Sequence, residues 1–311
     1  MTKRRRLREL LAAPGPVVAV GVYDGVSARV AERCGASALM VTGAGVAASV
    51  LGVPDGGLMT MTEVLTQTRH IARSVDIPVI ADCDTGYGNP INVRRTVREF
   101  EDAGVSALFI EDQVSPKRCG HFTGKQVIPT EDMVQKIRAA VDARTDDTML
   151  IIARTDARAV YGLAEAIDRA VRYREAGAEM IFVEAPHSRS ELEQISVQLA
   201  PLGVPLMVNL VEGGRTPLVP VPVLAEMGYK LIAFSGSLQK VAIKAMQGLM
   251  ESLLATGEVT AYYPERMVSL DERSDILGLG HYLELEARYA SPDSGSLTPE
   301  PAAPEPPMRT V

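Results

Sequence analysis

The stretch Ser115–Lys125, SPKRCGHFTGK, gathers Lys117, Arg118, His121 and Lys125 around a single thiol, Cys119. It follows directly on ALFIEDQ, an apolar run that ends in Glu111 and Asp112. Positive neighbours favour the thiolate, so Cys119 is expected to ionise readily and to act as a nucleophile or a general acid. Gly120 lets the loop fold closely, and Gly124 with Lys125 marks a flap able to close over a ligand. The other two cysteines read as inert. Cys34 ends a helix, and Cys83 sits between Asp82 and Asp84, facing away from them. In extended backbone, residues two apart point to one side, so Asp82 and Asp84 converge. Joined by Asp55, Glu111 and Glu184, they form a carboxylate cluster that repels itself unless neutralised. A hard divalent cation such as Mg2+ neutralises it with one or two direct carboxylate ligands and several waters. Arg154 closes another apolar run, MLIIAR, and a guanidinium grips a carboxylate bidentately. The expected ligand is therefore a small anionic carboxylate.

These residues meet only if the chain carries them to one face. Eight strand-like runs recur, at residues 17–22, 38–43, 77–82, 107–112, 149–154, 180–185, 205–210 and 231–236. Each is nearly continuous in apolar residues, as strands buried on both faces are. Helical patterns separate them. In NVRRTVREFEDAG, Val93, Val97 and Phe100 recur at helical spacing and Gly104 supplies the stop; TEDMVQKIRAAVDA reads as a helix capped by Thr130. Eight strand–helix units predict a (β/α)8 barrel of the TIM type. The alternative, a doubly wound open sheet, lacks a glycine-rich dinucleotide fingerprint after the first strand. Barrel enzymes work at the C-terminal ends of their strands. Tyr23, Thr42, Asp82, Glu111, Arg154, Glu184, Asn209 and Ser235 all fall there. A lone polar residue after a strand is ordinarily a turn or a cap; eight at one end of one barrel point to a site.

The 311 residues are 46% hydrophobic and 23% charged, enough for a large core, and the net charge of −7 argues against a nucleic-acid partner. No apolar run reaches the ~18 residues that span a bilayer. The basic start, MTKRRRLREL, reads as the solvated face of a first helix, because Pro14, Gly15 and Pro16 break the apolar run that a signal peptide needs. Three cysteines at unrelated spacings give no disulfide framework, which fits a cytoplasmic setting. One domain over 1–290 is expected, with added helices beyond the eighth unit whose apolar residues include Leu277, Leu279, Tyr282 and Leu285, and a disordered Pro-rich tail at 291–311.

The motifs YDGVSA, TGAGVAASVLGVPDGG, ADCDTGYGN, IEDQVSPKRCGH, ARTDA and NLVEGGRTP, in this order over about residues 10–290, resemble those of the isocitrate lyase / phosphoenolpyruvate mutase superfamily. KRCGH is the most specific of them. The resemblance is nearest to the 2-methylisocitrate lyase, 2,3-dimethylmalate lyase and carboxyphosphoenolpyruvate phosphonomutase branches. It implies a helix-swapped barrel in a homotetramer, a dimer of dimers. It implies Mg2+, with Mn2+ as the alternative, around Asp82, Asp84, Glu111 and Asp55. The substrate would contact Thr42, Gly43, Ala44, Lys117, Gly120, Arg154 and Asn209. The C2–C3 bond of a 2-hydroxy acid would break to give an α-keto acid, with Cys119 as proton donor, Arg118 and His121 meeting the developing charge, and Tyr23 or Glu184 as base. NLVEGG and FSGS depart from the methylisocitrate lyase pattern where the far end of the substrate should lie, which favours a smaller 2-alkylmalate over a tricarboxylate. Two other functions stand beside this one: a phosphonomutase, and a non-catalytic carboxylate-binding relative.

Overall fold

The computed structural model describes residues 1–263 and 265–290. Eight parallel strands close into a barrel in chain order: β1 Val17–Val22, β2 Ala38–Val41, β3 Val79–Asp82, β4 Ala107–Glu111, β5 Leu150–Thr155, β6 Met180–Val183, β7 Leu206–Asn209 and β8 Tyr229–Phe234. The ring closes because β1 pairs with β8 as well as β2, Val17 lying opposite Leu231 and Ala19 opposite Ala38. All eight predicted strands are present, with ends displaced by a residue or two. The open-sheet alternative falls with the closure.

Alternation along the strands divides the apolar residues into two layers. Inside the barrel lie Ala19, Met40, Ile80, Phe109, Ile152 and Phe182; outside, between strands and helices, lie residues such as Leu39, Ala81, Leu108 and Ile151. The interior is thus a packed core, as in other barrels of this size. Helix stops and starts follow local chemistry. Asn89 caps Pro90–Asp102 with a capping box, and Thr60 does the same for Met61–Ser74. The predicted Thr130 cap differs: Pro129 takes the cap position and Thr130 is the first helical residue. Pro129 has no side-chain acceptor, and Glu131 and Asp132 put negative charge in the first turn instead.

The first helix, Lys3–Ala12, closes the bottom of the barrel with Leu7 inside the inner core. Its basic residues are not simply solvated, contrary to expectation. Lys3 donates to the carbonyl of Ala72 at 2.7 Å, Arg4 to Val105 O at 3.0 Å, and Arg8 to Thr148 O at 2.8 Å. Arg4 also pairs with Asp146 and Arg8 with Glu179, each at 2.8 Å. The cations satisfy carbonyls of the turns that enter the strands, which would otherwise be left without partners.

The barrel unit is Met1–Ala261, and the chain from Tyr262 onward forms a second unit that contains the helices Leu270–Leu277 and Leu279–Tyr289. The predicted tail at 291–311 lies outside the described residues. Among the described residues no helix is long and apolar enough to cross a membrane.

Leu7→Ala should remove a plug from a core that cannot collapse around the gap. Urea unfolding is expected to show a loss of about 2–5 kcal/mol. An unchanged midpoint would mean that the helix contributes little to closing the barrel.

Candidate active site

At the C-terminal mouth the strand ends surround a cavity of about 340 Å3. Met40, Phe109 and Phe182 form its apolar floor, and Phe182 carries Arg154 above its ring at 5.3 Å. Arg154 is the best-defined group here. Its guanidinium donates to Asp156 through Nε at 2.9 Å and a terminal nitrogen at 3.2 Å. Nε also lies 3.1 Å from Glu111 Oε2, off the hydrogen-bond direction, and Nη1 lies 3.5 Å from Glu184 Oε2. Three buried carboxylates therefore surround one buried cation.

Cys119, Gly120 and His121 reach the cavity from the loop after β4. Gly120 packs so closely that a Cβ there would stand 2.6 Å from Arg154 and 2.7 Å from Glu184, so only glycine fits without displacing both. His121 Nε2 lies 3.4 Å from Glu184 Oε1. The backbone N–H of Arg215 donates to His121 Nδ1 at 3.1 Å. That bond leaves the neutral ring its proton on Nε2, facing Glu184. Burial lowers the His121 pKa, outweighing the pull of Glu184, so the neutral ring is favoured.

The acids on the other side are Asp82, Asp84 and Asp55. Gly43 N donates to Asp82 Oδ2 at 3.2 Å, and a Cβ on Gly43 would lie 3.0 Å from that oxygen and 3.4 Å from Asp84 Oδ1. Asp82 Oδ1 accepts from the Asp84 amide at 3.1 Å. Burial raises the Asp84 pKa to about 6, against the opposing effect of Lys117. Burial likewise pushes Glu111 up, opposed by Arg154. Among the described residues no three His, Cys, Asp or Glu side chains converge closely enough to hold a metal directly. The donors present are nonetheless carboxylate oxygens, and Glu111 Oε2 is buried without a hydrogen-bond partner. This donor set suits a hard cation held through water.

A family model described as phosphoenolpyruvate phosphomutase matches residues 7–254. The chain belongs to that family. It is 43% identical to the 2,3-dimethylmalate lyase of Eubacterium barkeri over 291 residues, covering 94% of this chain and 99% of that protein. It is also 43% identical to the 2-methylisocitrate lyase of Aeropyrum pernix over 284 residues, covering 91% and 90%. A solved phosphonopyruvate hydrolase, in complex with oxalate and Mg2+, matches with a TM-score of 0.84 at 30% identity, covering 93% of this chain and 99% of that one. The protein is thus an enzyme, a lyase of the isocitrate lyase / phosphoenolpyruvate mutase superfamily.

The phosphomutase-family fold brings together Thr42, Ala44, Asp55, Asp82, Cys119, Gly120, His121, Arg154, Glu184 and Asn209 around the cavity, as the sequence indicates. Others stand elsewhere. Lys117 turns away from the cavity to Asp55 at 2.5 Å and Asp84 at 2.9 Å. Arg118 is exposed, with only its backbone held, donating to Gln113 Oε1 at 3.0 Å and accepting from Gln113 Nε2 at 2.8 Å. Tyr23 is half-buried, packs against Gly45 and does not line the cavity. Asp112 points outward, accepting from Thr155, Tyr173 and the Asp156 amide, each at 2.8 Å.

The expected cationic cluster around the thiol is therefore dispersed. Burial pushes the Cys119 pKa up, and the hydrogen bond from the His121 backbone only partly offsets this. Burial thus favours the neutral thiol over the thiolate at Cys119. Gln113 went unnoticed in the sequence, although it lies two residues beyond Glu111 and donates to Glu111 Oε1 at 2.9 Å. Phe122, Gln239 and Lys240 also line the cavity without any local signal.

Alkylation of Cys119 by iodoacetamide should accelerate through a midpoint above that of an ordinary thiol, ~8.5. A rate already at its plateau near pH 7 would show an activated thiolate.

Proposed function

We propose that the enzyme is a Mg2+-dependent carbon–carbon lyase that cleaves a 2-hydroxy dicarboxylate of the 2-alkylmalate type into an α-keto acid and a carboxylate. The observation that carries this reading is the thiol of Cys119 in the wall of the same cavity as the guanidinium of Arg154; burial favours its neutral form. Such a pair suits proton delivery to carbon in a bound carboxylate. A nucleophilic mechanism would need the thiolate that burial disfavours.

In this reading Arg154 receives a substrate carboxylate, aided by the helix N-terminus at Thr42, Gly43 and Ala44. Glu184 takes the 2-hydroxyl proton, being in the cavity wall where Tyr23 is not. The C2–C3 bonding pair passes to the leaving fragment as C2 becomes a carbonyl. Cys119 protonates that fragment at carbon, and proton transfer back from Glu184 restores the thiol. Neutral His121 turns Nε2 toward Glu184 at 3.4 Å, a contact without a hydrogen bond. Asp82, with Asp84, Glu111 and Asp55 around it, would hold Mg2+ or Mn2+ largely through water. When bound, the ion supplies charge stabilisation to the 2-oxygen and the carboxylate. The oxalate and Mg2+ in the phosphonopyruvate hydrolase relative support this assignment. The apolar floor and the walls at Ala48, Val53 and Val211 suit an alkyl substituent.

We further propose a homo-oligomer, a dimer of dimers with exchanged eighth helices. The helix Ser237–Thr256 buries none of its residues and exposes Val241, Met246 and Leu254, while Val18, Val20 and Val30 line an open groove beside β1. Light scattering of the purified protein tests this, and a monomer at micromolar concentration would refute it.

The catalytic reading is tested by incubating protein with Mg2+ and a panel of 2-alkylmalates, 2-methylisocitrate and oxaloacetate, with detection of the keto acid. Metal-stripped protein should be inactive and recover with Mg2+. Cys119→Ser should slow turnover roughly 10²- to 10⁴-fold with little change in KM, and Cys34→Ser should behave as wild type. Wild-type turnover in Cys119→Ser would remove the proton-donor role and favour a phosphonomutase.

A further inference from the structure

One buried ion pair beside the cavity has no part in the chemistry above. Lys125 is buried, and its ammonium donates to Asp156 Oδ1 at 2.6 Å and to the carbonyl of Gly120 at 2.5 Å. The same carboxylate receives both guanidinium contacts of Arg154. Gly120 directly follows Cys119 and rests on Arg154 and Glu184. The loop that carries the proton donor and the arginine that grips the anion are thus both tied to Asp156.

Asp156 is itself held from behind. Its amide donates to Asp112 Oδ1 at 2.8 Å, and Asp112 also accepts from Thr155, Tyr173 and Arg169, the last at 3.1 Å. Arg169 is in turn paired with Glu165 at 2.8 Å. This arrangement reaches the strand end from the helix Leu163–Glu175 and leaves Asp156 little freedom. The Asp156 pKa is lowered to about 2, Arg154 and Lys125 together overcoming the effect of burial.

We propose that Lys125 and Asp156 are a positioning pair that fixes the Cys119–Gly120 segment in register with Arg154, so that proton donor and anion-binding group share one reference point. A lysine suits this role because one ammonium donates to a carboxylate and a carbonyl together. Neither residue touches the substrate in this scheme. Without the lysine the loop loses its tie to Asp156, while Arg154 keeps both of its own bonds to that carboxylate. The proposal rests on the reading that Cys119 and Arg154 serve one substrate. Its main readout needs no turnover, so the two can fail separately.

The test is the iodoacetamide alkylation rate of Cys119 against pH, in wild-type full-length protein and in Lys125→Met. Freeing the loop should raise the plateau rate roughly tenfold, within the 5–150-fold range of coupling between sites, and leave the midpoint in place. In parallel kcat should fall roughly 10²-fold, the usual effect of a small misplacement, while KM changes little. Lys125→Gln, which retains a donor but not the charge, should fall between wild type and Met. It stands in for the Met variant if that one does not fold. A folded variant of either kind that alkylates Cys119 at the wild-type rate overturns the proposal. So does a shifted midpoint with an unchanged plateau, which would mean that Lys125 acts only through its charge.

Discussion

The site depends on one buried guanidinium. Arg154 lies within reach of Glu111, Asp156 and Glu184, and each of those carboxylates is almost wholly buried. Taking such charges out of water is costly, and removing one partner leaves the others uncompensated. The group therefore persists only as a set. The barrel delivers its members from three adjacent strand ends, which fixes their spacing before any side chain chooses a rotamer. The net charge of the set is negative, and the second acidic group at Asp82, Asp84 and Asp55 adds to it. Lys117 and Lys125 each supply one opposing charge, one to each group.

This division of the cations explains the chemistry of the thiol. A cysteine with two lysines, an arginine and a histidine close in sequence looks activated. In the fold, the lysines are claimed by carboxylates of other loops at the barrel mouth, Asp55, Asp84 and Asp156, and the arginine side chain stays in water. What remains around Cys119 is burial, which favours the neutral form. A base paired with such a thiol can return its proton, whereas a thiolate cannot donate one. In the proposed reaction these residues would serve acid chemistry at carbon rather than attack on it, and what separates the two is where the lysines go.

The barrel was legible because each strand is buried on both faces and each helix carries its own stop and start signals. Strand ends were legible to within a residue or two, and with them Arg154, Glu111, Glu184, Asp82 and Asn209. Asp82 and Asp84 do converge, although not for the reason of extended alternation: Asp84 lies beyond the strand with φ of 46° and reaches the site through a turn. Asp112 shows the limit of the same reasoning. It follows Glu111 directly, so alternation sends it to the helix side, where Arg169 and Tyr173 receive it. Gln113 was missed because an amide after two acids carries no charge signal, and Arg215 because nothing in NLVEGGRTP says that its amide meets His121. The Gln113 bonds are local, within five residues, whereas the Arg215–His121 bond joins positions 94 apart that only the closed ring brings together.

The two ends of the barrel show how one set of rules gives rigidity below and reactivity above. At the bottom, Lys3, Arg4 and Arg8 spend their donors on backbone carbonyls and on Asp146 and Glu179, and Leu7 fills the remaining space. These three cations all have partners. At the mouth the count does not close. Glu111 Oε2, Glu184 Oε2 and Asn209 Oδ1 are buried without hydrogen-bond partners, and Glu184 and Asn209 line the cavity. Native interiors rarely leave such atoms unsatisfied. Three of them, beside a guanidinium already bound to carboxylates, leave hydrogen-bonding capacity at the mouth that the fold itself does not use. The proposed ligand would bring positive charge to the acids and an anion to the arginine. A cation carrying a chelated hydroxycarboxylate does both, and an uncharged ligand does neither.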